Sequence, residues 1–348
     1  HTVSVTGLTG EKAGNYTYAA TEITYTINKA QLVIDWTVAS EYVYNGEEQY
    51  PTAVISGQVS GHEVTFEYAD YGTNAGDYTV KVVNVVVMNG EVDVTANYAL
   101  PDLTKAYSIT ASQATITAEN ITKEYGEAYE VVYDTDSTGE VTITYKQGDT
   151  VLLEAPKAAG TYTVIITVGE DANYDETVKE ITLTINKKAL TITPEETTIT
   201  YGDELPTSYA VVYSGLVYGE TAVDTIGTVT TDYELYGNVG TYTLTAAGFA
   251  DPNYEITFVE GQLIVEARTV SIALDTEVTL TYNGLAQFAP LVITNTVNSD
   301  VINATLSESH TNADTYTVSV TGLTGEKAGN YTYVATEIEY TINKVQLV

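Results

Sequence analysis

Residues 188–202, KALTITPEETTITYG, and 240–266, GTYTLTAAGFADPNYEITFVEGQLIVE, decide the fold. Leu190 and Ile192 alternate with Thr191 and Thr193, the period of a strand with one buried face. Tyr201-Gly202-Asp203 supplies turn chemistry, and Pro206 punctuates the chain again. Further strands are read at Ala210–Tyr213, Thr228–Leu235, Tyr242–Ala246 and Ile256–Val265. β-Branched and aromatic residues dominate, turn signals return about every ten residues, and no helical apolar period is sustained. The stretch predicts an all-β sandwich with almost no helix.

The same marks recur along all 348 residues. A Tyr-Gly or Tyr-Asn-Gly turn stands at Tyr44-Asn45-Gly46, Tyr125-Gly126, Tyr201-Gly202 and Tyr282-Asn283-Gly284. A Gly/Asp-x-Tyr-Thr-apolar strand start contains Tyr78, Tyr162, Tyr242 and Tyr316. Asn-Tyr leads into the end of each unit at Asn15, Asn97, Asn173, Asn253 and Asn330. Openings at Ala30, Gln113, Ala189, Thr269 and Val345 are spaced by 83, 76, 80 and 76 residues. A longer period encloses these four units: windows 1–33 and 316–348 agree at 29 of 33 positions. Such a restart reads as a piece of a longer tandem array. The expected parts are the end of a repeat (1–29), whole repeats at 30–111, 112–187, 188–266 and 267–343, and the start of another at 344–348. Each whole repeat is large enough to expect a modest core of its own.

Composition narrows the function. Asp plus Glu number 47 against 13 Lys plus Arg, a net charge of −34, so nucleic acid and anionic membrane are poor partners. Apolar residues make up 44% of the chain, enough for folded cores, yet no run is long enough for a membrane helix, and no membrane insertion is expected. Cysteine is absent, which excludes thiol chemistry and disulfides.

Tyr78, Tyr162, Tyr242 and Tyr316 sit two residues before Val80, Val164, Leu244 and Val318. Immunoglobulin domains carry a Tyr two residues before a Cys at a strand corner, its hydroxyl bonded back to the backbone. Here an aliphatic residue takes the Cys position. Together with Lys-x-Ala-Leu-Thr-Ile, Ala-Gly-Thr-Tyr-Thr-Val and Leu-Thr-Ile-Asn-Lys, these marks resemble the MBG-type bacterial Ig-like repeat. Units 112–187 and 188–266 resemble its Tyr-Gly-x variety, and 30–111 and 267–343 the related Tyr-Asp-Gly kind. The resemblance implies tandem modules of large bacterial adhesins, secreted or attached to the cell surface. It marks Tyr78, Tyr162, Tyr242, Tyr316, Gly46, Gly126, Gly202 and Gly284 as structural repeat positions, and no residue as catalytic.

Seams are short. Inward positions switch from odd (Ile181, Leu183, Ile185) to even (Leu190, Ile192), a slip that turns the chain toward a different core. The same switch follows Ile27, Ile109, Val265 and Ile342, and no Gly/Ser- or Pro-rich linker intervenes. Sandwiches strung end to end as an extended rod are expected, each roughly 35–45 Å long at a strand rise of about 3.3 Å per residue.

Site chemistry is sparse. His1, His62 and His310 do not recur at equivalent positions, and no nucleophile-elbow signature supports a hydrolytic set around them. Asp134–Glu140 begins like a calcium loop, but the twelfth position is Tyr145 rather than a bidentate Glu, so a polar hairpin turn is expected. No cofactor is expected, calcium at loops or junctions being the one candidate. Lys29, Lys187 and Lys344 invite a Lys–Asn cross-link, yet Ser112 and Ala267 replace them in the other units. Asn15, Asn120, Asn303 and Asn330 match the glycosylation acceptor pattern.

Three functions compete on these terms: a stalk or spacer of a repetitive surface protein, a glycan- or mucin-binding repeat gaining avidity, and a self-assembling fibre or lattice subunit. The last would join copies of the same chain through strand addition at the edges of residues 1–29.

Overall fold

A computed structural model describes residues 1–39 and 41–347. Ser40, inside the expected repeat 30–111, and Val348, inside 344–348, lie outside the described residues. Strands dominate, and the described helical turns are short 3-10 segments at Ala13–Asn15, Thr95–Asn97 and Ala328–Asn330. By its internal contacts the chain forms two compact units. One comprises 1–120, 131–155 and 163–182; the other comprises 121–130, 156–162 and 183–348.

In the second unit, residues 188–266 build two sheets. Lys188–Pro194 pairs antiparallel with Val211–Ser214 and parallel with Tyr254–Phe258. Thr197–Thr200 runs parallel to Gly261–Glu266, which pairs antiparallel with Gly240–Ala247, and that strand with Thr228–Thr231. The expected closing strand Ile256–Val265 is therefore two strands in two sheets. The chain changes sheet at Val259–Glu260, and Gly261 passes so close to Pro194 that a Cβ would stand 2.5 Å from its carbonyl oxygen. The expected strand Thr228–Leu235 ends at Thr231, before a turn.

Residues 268–343 repeat the arrangement. Arg268–Leu274 lies between Leu291–Thr294 and Tyr331–Tyr333, while Glu337–Asn343 lies between Leu280–Thr281 and Thr315–Thr324. A single residue, Ala267, separates the last strand of one repeat from the first strand of the next. Separate cores were expected here, and the structure corrects this. Leu244, Leu263 and Val265 belong to one connected buried cluster with Val270, Val318 and Ile342. Tyr201 and Tyr331 belong to it too, their ring centroids 5.4 Å apart across the seam. The sheets are not shared; the buried side chains are in contact.

In the first unit, Val33–Thr37 pairs with Thr52–Ser56, and the 14-residue strand Gly76–Asn89 pairs with Glu63–Ala69 and Thr104–Thr110. Their inward residues fill two clusters, around Leu32, Ile55 and Val82 and around Val80, Tyr107 and Ile109. Val141–Gln147 pairs with Thr150–Leu152 and with the far part of Gly160–Val168.

Two nearly identical stretches, 1–33 and 316–348, appear in different settings. Thr2–Ser4 and Glu22–Thr24 form a bare antiparallel pair in which Val3 is 48% exposed, and Ile27, beyond the end of the pair, is 67% exposed. The matching Val318 and Ile342, inside a sheet with a facing sheet, are each 1% exposed. Strand propensity is the same in both places; burial comes from the partner sheet.

Candidate functional site

The four marked tyrosines share one local geometry. Their hydroxyls donate to the carbonyl four residues back: Tyr78 to Asn74 at 2.9 Å, Tyr162 to Ala158 at 2.9 Å, Tyr242 to Asn238 at 2.6 Å and Tyr316 to Asn312 at 3.0 Å. Each bond ties the incoming loop to the start of its strand.

The Asn-Tyr mark does more than lead into a strand. In the second unit the Asn253 side-chain oxygen accepts the Ala159 N–H at 2.9 Å, and its carbonyl accepts the Lys188 N–H at 3.0 Å. Asn330 accepts the Val239 N–H at 2.9 Å and donates to the Asn238 side chain at 3.1 Å. In the first unit Asn173 accepts the Ala75 N–H at 2.9 Å. Each asparagine thus holds the loop that precedes the marked tyrosine of the preceding repeat. Asn330 is buried in this role, which withdraws it from the glycosylation pattern. Replacing Asn330 by alanine leaves the Val239 N–H without its acceptor and is expected to cost about 1–3 kcal/mol in denaturant unfolding. An unchanged midpoint would remove the asparagine from the joint.

Next to Asn253 and Asn330 stands a tyrosine–acid–tyrosine contact. Tyr125, of the Tyr-Gly turn, donates to Glu220 at 2.6 Å; Tyr254 donates to the other oxygen of the same carboxylate and accepts the Val217 N–H at 2.9 Å. One repeat later, Tyr201 and Tyr331 both donate to Asp300 Oδ2, at 2.8 and 2.7 Å, and Tyr331 accepts the Val297 N–H at 3.0 Å. The rings meet edge to face, a favoured aromatic geometry. Arg268, the chain's one arginine, donates through Nε to the Tyr201 carbonyl at 2.6 Å and pairs with Asp203. In the first unit Tyr44 meets Tyr174 edge to face at 5.3 Å.

Gly126 and Gly202 have φ of +92° and +81°, which favours glycine, and both lie against a valine of the next repeat. A Cβ on Gly126 would stand 2.8 Å from a Val217 methyl; Val297 takes that place at Gly202. Gly46 and Gly284 sit one position later in Tyr-Asn-Gly turns, with open space around them. There Asn45 and Asn283 accept the N–H of Glu47 and Leu285, both at 2.9 Å.

Burial pushes the joint phenols up. Tyr201 and Tyr254 are raised to about 12, first by desolvation and then by their bonds to Asp300 and Glu220, and Tyr125 is raised further for the same reasons. Asp171 moves the other way. Its carboxylate accepts N–H bonds from Asn173 and Thr138 and hydroxyl bonds from Thr138 and Ser137, which hold it well below the usual carboxylate range.

These bonds also account for the calcium-like loop. Ser137 and Thr138 face Asp171, and Asp136 accepts the Thr115 N–H at 2.7 Å. Among the described residues no three His, Asp or Glu side chains gather as metal ligands. His62 contacts the Tyr98 hydroxyl at 2.6 Å, and His310 stacks on Tyr316 at 3.7 Å. Lys29, Lys187 and Lys344 are exposed. Among the described residues no helix is long and apolar enough to cross a membrane.

The acids and valines of the joint were not read from the sequence. Their signal is the aligned loop Gly57-Gln58-Val59-Ser60-Gly61-His62, Gly215-Leu216-Val217-Tyr218-Gly219-Glu220 and Asn295-Thr296-Val297-Asn298-Ser299-Asp300, with valine third and the partner of the Asn-Tyr tyrosine sixth.

Residues 190–264 match the family model of the MBG domain (YGX type), the stretch that contains Tyr201-Gly202-Asp203. No curated protein matches the chain. Among solved structures, the I-band fragment I67–I69 from titin is 13% identical, covering 68% of this chain and 99% of its own, with a TM-score of 0.26. The N-terminal four Ig domains of Dscam1 isoform 4.44 are 12% identical over 67% of this chain and 75% of theirs, with a TM-score of 0.23. Domains 4–9 of surface layer protein SbsC are 13% identical over 88% and 66%, with a TM-score of 0.19.

Proposed function

We propose that the chain is a non-enzymatic spacer of a large, repetitive extracellular bacterial surface protein, secreted or cell-attached. In this reading the Ig-like repeats 30–111, 112–187, 188–266 and 267–343 act in series as a stiff rod that holds a binding part away from its anchor. The observation that carries it is the recurrence of one joint, Tyr125–Glu220–Tyr254 and then Tyr201–Asp300–Tyr331. The MBG match over residues 190–264 supports the same class. A net charge of −34 favours repulsion between neighbouring rods.

Pulling the chain by its ends tests this. Each repeat has its own backbone ladders, so stepwise release is expected, about 230–240 Å per repeat for some 79 residues at roughly 3.5 Å each less the folded length. One cooperative rupture, or no periodic steps, would refute sandwiches in series. Saturable binding of a glycan array would favour the adhesive-repeat reading instead.

A further inference from the structure

The sandwich of residues 268–343 is open along one edge. Between its edge strands, Leu291–Thr294 and Asn303–Leu306, lies a cleft of about 590 Å³, within the usual range of small-molecule sites. Leu291 and Ile293 line one wall, Ala304 and Leu306 the other, and Phe288 stands at the rim.

The corresponding place in residues 30–111 is closed by the protein itself. Tyr68, on edge strand Glu63–Ala69, reaches the opposite edge strand, where its hydroxyl accepts the Ala53 N–H at 2.6 Å. Phe66 packs edge to face beside it at 5.5 Å, and Trp36 lies in the same cluster. Strand registers fix the equivalences. Tyr68 pairs with Val82 as Leu306 pairs with Val320, and Trp36 pairs with Ala53 as Leu274 pairs with Leu291. Counting back two residues along the edge strand sets Ala304 against Phe66. In residues 188–266 the Phe249 ring lies 6.4 Å from Tyr213 and 6.2 Å from Phe258. At these three positions residues 268–343 carry Leu274, Ala304 and Leu306, whereas residues 188–266 carry Pro194, Gly227 and Val229 with the Phe249 ring lying against Gly227.

We propose that this cleft binds a small phenolic compound. Its ring would sit between Ala304 and Leu306 on one sheet and Leu291 on the other, with its hydroxyl at the Leu291 backbone, as the Tyr68 hydroxyl meets Ala53. Apolar walls supply the ring's affinity, and the backbone contact selects phenols over plain hydrocarbons. A neutral phenol also escapes the repulsion that the acidic chain imposes on anions.

The test is a methyl NMR titration of the whole chain with p-cresol, which is the tyrosine side chain in free form. Saturable shifts are expected at Leu291, Ile293 and Leu306, with a Kd of about 1 mM as befits a fragment of this size. Toluene, which lacks the hydroxyl, should bind roughly five- to tenfold more weakly. Leu306→Tyr, which installs the residue of the closed repeat, should abolish the Leu291 and Ile293 shifts, and Ala304→Phe should do the same. Unmoved methyls in the unmodified chain, equal affinity for toluene, or undiminished shifts in a folded Leu306→Tyr variant would overturn the proposal. If neither variant folds, the p-cresol and toluene comparison on the unmodified chain decides the matter.

Discussion

Tyr201→Ala is expected to destabilise residues 188–343 by about 3–5 kcal/mol, the range for truncating a buried aromatic ring. The ring has no solvent exposure, touches Tyr331 edge to face and belongs to the buried cluster that spans the seam. Truncation also removes one of the two phenols on Asp300. Calorimetry should show the affected transition falling by roughly 6–20 °C. The single tryptophan, Trp36, provides an internal control, because its emission reports residues 30–111 and should melt as before. Tyr201→Phe keeps the ring and loses only the bond to a charged acceptor, for about 1.5–3 kcal/mol. If alanine and phenylalanine cost the same, ring packing contributes nothing to the joint. If neither has an effect, the joint is not structural.

The second large effect lies at alkaline pH. Tyr201 and Tyr254 titrate near 12 in the folded chain, against about 10 for an unfolded tyrosine. Since the folded value is the higher one, the stabilisation is complete below pH 10 and is lost as pH rises from about 10 to 12. The loss is on the order of 2 kcal/mol per joint tyrosine. Tyrosinate absorbance should therefore rise in two waves, exposed phenols first, with the second coinciding with loss of the seam between residues 188–266 and 267–343. A single wave near 10 with the fold intact would sink the idea. On the acid side the sign reverses: Asp171 is lowered, so its contribution persists above pH 4 and fades below it.

Much of this architecture is legible in local pattern. Alternation at Leu190–Ile192 and the turn at Tyr201-Gly202 locate strands and corners, because both depend on residues adjacent in the chain. The division of Tyr254–Glu266 into two strands was also encoded, as a change of inward parity from Tyr254 and Ile256 to Leu263 and Val265. That slip is the one used to place the seams, and inside a repeat it marks a change of sheet. Gly261 is the one turn residue that accompanies it, with no Pro, Asn or Asp between Phe258 and Gly261 to strengthen the signal. The joint acids were hidden for another reason. Glu220 and Asp300 lie 95 and 99 residues from the preceding repeat's tyrosines, and in isolation each reads as solvated loop charge. Separate cores were expected because each repeat was weighed alone, whereas Tyr201 spends its burial on its neighbour.

The joint's two halves are carried by different repeats, and Val217 with Glu220 occupies the same place as Val297 with Asp300. A recombination event that deletes residues 188–267 would bring Tyr125-Gly126 directly onto Val297, Asp300 and Tyr331, with every class of contact preserved. Deleting 112–187 would instead set Tyr44-Asn45-Gly46, built for another kind of neighbour, against Glu220. Copy number in such a gene can drift without loss of fit only where like-ended copies are exchanged, so the seam chemistry acts as a grammar for which lengths can be inherited.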